Sequence, residues 1–147
     1  MSYMNKAAEM IAERIGNITH ESSFYETKAW GVEAQPDFLN KVLICTTSLR
    51  PKEVLDHCLT IEKELGRNRK EKWGSRIIDI DILYADQEII VSKELNIPHP
   101  FLHERRFTLV PLCEVMPDQL HPIFNLTNEQ MLERCLDPLE VIVLNHK

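Results

Sequence analysis

The chain has 147 residues, 44% hydrophobic and 27% charged, which is one domain's worth of sequence and long enough to bury a core without staples. Its net charge of −6 argues against nonspecific nucleic-acid binding, which rests on clustered Lys and Arg, and no apolar run approaches the ~20 residues of a membrane span. Cys45, Cys58, Cys113 and Cys135 have no C-x-x-C spacing, which speaks against a zinc knuckle or thioredoxin-like motif and for free thiols in a reducing, cytoplasmic setting.

The opening residues MSYMNKAAEMIAERIG lack the continuous apolar segment of a signal peptide. They predict an amphipathic helix, with Met4, Ala8, Ile11 and Ile15 at helical spacing and Gly16 as a left-handed stop. From Ile18 through Ser22, Ser23, Phe24 and Tyr25 the pattern is strand-like, and a long loop follows from Lys28 to Pro36. Phe38–Thr47 is β-branched and apolar and predicts a strand. Pro51 suits a first helical turn, after which Val54, Leu55, Cys58, Ile61 and Leu65 form one stripe ending at Gly66.

A basic run then carries Arg67, Arg69, Lys70 and Lys72 and closes on Trp73-Gly74. Taken alone it is a solvated loop. Next comes Arg76-Ile77-Ile78-Asp79-Ile80-Asp81-Ile82-Leu83. On a strand, side chains alternate faces, so Asp79 and Asp81 share one face while Ile78, Ile80 and Ile82 point into a core. Such an acidic face is either solvated or holds divalent cations, which prefer hard oxygen ligands. A turn near Gln87, a short strand over Glu88–Val91, the break Pro98-His99-Pro100 and a return to the core at Leu109, Val110 and Leu112 follow. Thr127 caps a last helix over Asn128–Leu136, and Val141–Leu144 is a terminal apolar run. This order predicts a single α+β domain over 1–147, an antiparallel sheet with helices packed on it.

The Asp pair lies between the basic loop and the later residues His99, Arg105 and Arg106. Carboxylates, guanidinium groups and an imidazole are what metal-assisted phosphoryl chemistry requires. Trp30, Phe38, Trp73 and Phe107 either line a slot for a flat heterocycle or are ordinary packing. A different set, His99, His103 and Glu104, has H-x-x-x-H spacing but is interrupted by Pro100.

The segment Trp73–Leu83, followed by Ile97-Pro98-His99-Pro100 and His103-Glu104-Arg105-Arg106-Phe107, resembles the signature of the 6-hydroxymethyl-7,8-dihydropterin pyrophosphokinase family. Ser22–Thr27, Gln35–Asn40 and Ile61–Arg67 add to the resemblance, which spans about residues 5 to 120. It implies a ferredoxin-like α+β fold and transfer of the β,γ-pyrophosphoryl group of ATP to the pterin hydroxymethyl oxygen, with release of AMP, in folate biosynthesis. It also implies that Asp79 and Asp81 bind two Mg²⁺ ions, that Arg67 and Arg76 meet the transferring phosphates, and that Arg69 is a further loop contact. On the same basis Glu62, Ile82, His99 and Arg105 lie along the ATP site, and Thr27, Trp30, Phe38, Asn40, Trp73 and Phe107 form the pterin pocket.

The chain departs from the family pattern at Ala29, where proline is usual, and at Pro100 after His99. It opens inside a helix, so the family's first strand and its Gly-Ser-Asn loop are expected to be absent. The resemblance therefore leaves two expectations. One is a monomeric enzyme, with self-association open to it through the missing strand. The other is a non-catalytic remnant that binds nucleotide or pterin or associates through its exposed sheet edge.

Overall fold

The computed structural model describes residues 2–27, 38–67 and 78–144. Its elements are α1 (Ser2–Arg14), β1 (Asn17–Glu21), β2 (Phe24–Thr27), β3 (Phe38–Asn40), β4 (Leu43–Thr46), α2 (Pro51–Arg67), β5 (Ile90–Val91), β6 (Asn96–Ile97), α3 (Arg106–Val115), α4 (Asn128–Arg134) and β7 (Val141–Leu144). A 3-10 turn at Leu102–Glu104 precedes α3. Among the described residues every ladder is antiparallel: β1 pairs with β4, β2 lies between β3 and β7, and β5 pairs with β6. Helices on antiparallel sheets make this the α+β arrangement predicted from the element order, consistent with the ferredoxin-like fold that the resemblance implies. Among the described residues no helix is long and apolar enough to cross a membrane.

Two apolar clusters organise the described residues. In the first, Ala7 and Ile15 meet Cys58, Ile61 and Leu65 of α2, with Tyr3, Met10 and Ile11 packed around them. The α1 stripe thus centres on Ala7 rather than the predicted Ala8. A bidentate ion pair from Arg14 to Glu64, at 2.5 and 3.0 Å, joins the two helices. In the second cluster Leu109 and Leu112 of α3 pack with Val42, Leu102 and Met131 of α4.

Four local predictions change. Gly16 is needed for close approach instead of a left-handed stop, because a Cβ there would lie 2.1 Å from the carbonyl oxygen of Thr46. The α2 stripe is as predicted, but the helix continues past Gly66 to Arg67. The single strand predicted over Phe38–Thr47 divides into β3 and β4, which belong to different sheets. Ser22 causes the break: its N–H bonds the Val42 carbonyl while its hydroxyl accepts the Val42 N–H, both at 2.8 Å, so a side chain stands in for a ladder bond.

The fourth change is α3, which the sequence shows only as a return to the core. Pro111 lies inside it, and a proline removes a helical hydrogen bond and disfavours helical geometry before it. Burial of Leu109, Pro111 and Leu112 overrides that local preference. The terminal helix keeps its predicted start: Thr127 accepts from Gln130 N–H and the Gln130 side chain accepts from Thr127 N–H, a capping box.

Candidate active site

Residues 78–84 cross both clusters. Ile78, Ile80 and Ile82 pack on the α1/α2 side, Leu83 and Tyr84 on the α3/α4 side, and Asp79 and Asp81 are exposed. The alternation predicted for a strand is therefore present. The strand itself is not: among the described residues this segment joins no ladder. One backbone donor is satisfied from a helix instead, since Ile80 N–H bonds the Glu62 carboxylate of α2 at 2.6 Å. Glu62 thus holds the chain at the residue between the two aspartates.

The His99 loop is tied to the same segment by His99 N–H to Leu83 carbonyl at 2.9 Å. The His99 ring accepts the Phe101 N–H at Nδ1, 3.2 Å away, and its Nε2 lies 4.0 Å from Asp81 Oδ2. Because Nδ1 is an acceptor, the neutral ring carries its proton on Nε2, facing Asp81. Burial lowers the pKa of His99, with Asp81 opposing and Arg105 adding to the effect.

Arg105 is the N-cap residue of α3. Its guanidinium carbon lies 5.0 Å from the Phe101 ring centroid and 5.6 Å from that of Phe107. The adjacent Arg106 is turned elsewhere: its backbone N–H bonds Asp137 Oδ2 at 3.1 Å and its Nε bonds the Asp137 carbonyl at 3.3 Å. Only the first arginine of the pair is directed to the His99 side.

On the β2/β3 ladder Thr27 pairs with Phe38 and Tyr25 with Asn40. Asn40 Nδ2 donates to Thr27 Oγ1 at 3.5 Å, Thr27 is buried, and Phe38 is exposed. α3 packs against β2 and β3, which brings the helix carrying Phe107 beside these strands. Glu114, unremarked in the sequence, makes that join. It accepts from Ser23 N–H, from the Ser23 hydroxyl at 3.1 Å and from the Tyr25 hydroxyl at 2.6 Å. Burial and the Glu114 bond push Tyr25 up to about 12. Burial alone would raise Glu114, yet its bonds to Tyr25 and Ser23 leave it below the usual carboxylate range. A single acid in an otherwise apolar segment was the one available sign of this contact.

Ile82 points its side chain at the α1/α2 cluster. Trp30, Arg69, Trp73 and Arg76, and the side chain of Arg67, lie outside the described residues. The alternative metal set is not assembled, because His99 faces Asp81 while the His103 ring lies 4.5 Å from that of Phe124. Among the described residues no group of three His, Cys, Asp or Glu side chains is placed to hold a metal ion.

The family described as 7,8-dihydro-6-hydroxymethylpterin-pyrophosphokinase matches this chain over residues 1–117. The chain belongs to that family. It is 48% identical over 124 residues to the 2-amino-4-hydroxy-6-hydroxymethyldihydropteridine pyrophosphokinase of Aquifex aeolicus, covering 84% of this chain and 77% of that one. Proteins of the same name from Haemophilus influenzae and Bacillus subtilis are 43% and 41% identical, over 74% and 78% of this chain and 68% and 69% of their own lengths. Within the pyrophosphokinase family frame, the matched region contains the acidic segment, the His99 loop and the whole of α3.

Proposed function

We infer that the protein transfers a pyrophosphoryl group from ATP to 6-hydroxymethyl-7,8-dihydropterin, giving AMP and the pterin diphosphate, in folate biosynthesis. The observation that carries this is the family match over residues 1–117 with 48% identity to a relative named for that activity. The non-catalytic alternative is not favoured by it. In the reaction the hydroxymethyl oxygen bonds to the β-phosphorus, its proton leaves, and the α,β-bridging oxygen departs with AMP.

Exposed Asp79 and Asp81, adjacent on one face, fit Mg²⁺, which takes one or two carboxylates together with substrate phosphates. Two such ions, when bound, supply neutralisation of the phosphate oxygens. His99 Nε2–H, beside Asp81, and Arg105 donate to the triphosphate, and Ile82 contributes through its backbone. Arg67, Arg76 and Arg69 meet charge that spreads over the transferring group. Glu62 keeps the aspartate segment in register. Thr27 and Asn40 bond the pterin edge, and Trp30, Phe38, Trp73 and Phe107 enclose its faces, as a flat ring with few polar atoms requires.

Incubating the protein with ATP, Mg²⁺ and the hydroxymethyl pterin tests this reading. AMP and the pterin diphosphate are expected. Formation of ADP, or no pterin-dependent turnover, would sink it.

A further inference from the structure

Phe101 leaves 48% of its surface exposed, so core burial does not explain the phenyl group. Its contacts do. The Arg105 guanidinium carbon lies 5.0 Å from its centroid, the His99 ring lies 6.1 Å away at an interplanar angle of 58°, and its backbone N–H bonds His99 Nδ1 at 3.2 Å. Arg105 is also against Phe107, at 5.6 Å. A guanidinium placed against aromatic rings keeps its N–H groups free to donate while losing rotamer freedom. The Phe101 amide, bonded to His99 Nδ1, likewise leaves Nε2–H as the donor of that ring.

We propose that Phe101 is a positioning residue for the nucleotide, its ring holding Arg105 and its backbone amide orienting His99, so that the two form a preorganised pair of donors to the ATP phosphates. The inference rests on the pyrophosphokinase reading above and deepens it at a position which the sequence motif leaves without a role. Pre-ordering both donors removes part of the entropy cost of ordering them on binding. The benefit acts through Arg105, so it vanishes when that guanidinium is removed.

The test is equilibrium binding of ATP with Mg²⁺ by calorimetry, alongside steady-state kinetics. Phe101→Ala is expected to weaken ATP binding and raise KM for ATP about two- to fivefold, the range for an exposed cation–π contact, with kcat changing less than KM. Phe101→Tyr or Phe101→Trp should restore affinity, whereas Phe101→Leu should behave like the alanine variant. In an Arg105→Ala background, Phe101→Ala should add no further loss. Unchanged ATP affinity in Phe101→Ala would overturn the inference, and so would an equal loss with and without Arg105, which would make the ring a direct platform for the base. Failure of the unsubstituted protein to form AMP would instead defeat the underlying reading.

Discussion

Asp79 and Asp81 differ from their neighbours in what they touch: the isoleucines between and beside them pack on α1 and α2, while the two acids stay exposed. Replacing either by alanine removes charge from the proposed metal face without opening a core cavity. Turnover is expected to fall by about 10²- to 10³-fold, the scale for loss of an electrostatic stabiliser, with the fold retained, since neither side chain belongs to the core. Near-normal kinetics in both variants would leave only a solvated face. Glu62 makes the opposite prediction. Glu62→Ala strands the Ile80 N–H that Glu62 now accepts at 2.6 Å, so it should cost about 1–3 kcal/mol in denaturant unfolding. Glu62→Gln, which keeps an acceptor, should recover most of that stability.

At the level of elements, the turn from α1 into β1 depends on space. Gly16 passes against β4 so closely that an added Cβ would sit 2.1 Å from the Thr46 carbonyl oxygen. Gly16→Ala should therefore lower the melting temperature even though alanine is the better helix former next to α1. A loss of about 1–3 kcal/mol is expected, as for other forced overpacking; a variant as stable as the parent would show that β4 yields without strain. The α3/β2 join works through charge instead of shape. Glu114 bonds Ser23 and Tyr25, 91 and 89 positions away in the chain, and holds the start of β2 against the helix that carries Phe107.

For the whole molecule, pH is expected to act through His121, which is 2% exposed. Its Nδ1 accepts the N–H groups of Ile123 and Phe124, both at 3.2 Å. The ring stacks on Phe124 at 4.6 Å and meets Tyr84 edge-on at 5.9 Å. Burial, with the nearby His103, which also meets Phe124, adding to it, lowers its pKa from the ordinary value of 6.5. The unfolded chain therefore binds this proton more readily than the folded one, so stability from neutral His121 is present above pH 6.5 and is lost as pH falls through the lower folded value. Thermal melts between pH 7.5 and 5 should show the decline, and His121→Gln, which can accept the same amides but cannot titrate there, should flatten part of it. An unchanged slope in that variant would assign the proton uptake to other groups.

The sequence by itself determined the features that repeat within a few residues. The α2 stripe, the Thr127 cap, the alternation at Ile78–Ile82 and the motif that places the chain in its family are all local patterns of residue type. Tertiary structure decided what depends on partners distant in the chain. Whether Phe38–Thr47 is one strand or two depends on the hydroxyl of Ser22. That Arg105 stands by His99 while Arg106 is drawn away depends on Asp137, 31 positions further on. A helix over Pro111 exists because Leu109 and Leu112 find the second cluster, and the aspartate segment is held by Glu62 rather than a described neighbouring strand. Periodicity records which face of an element is apolar, whereas hydrogen-bond partners are chosen only when separate elements meet, and that choice leaves no local pattern to read.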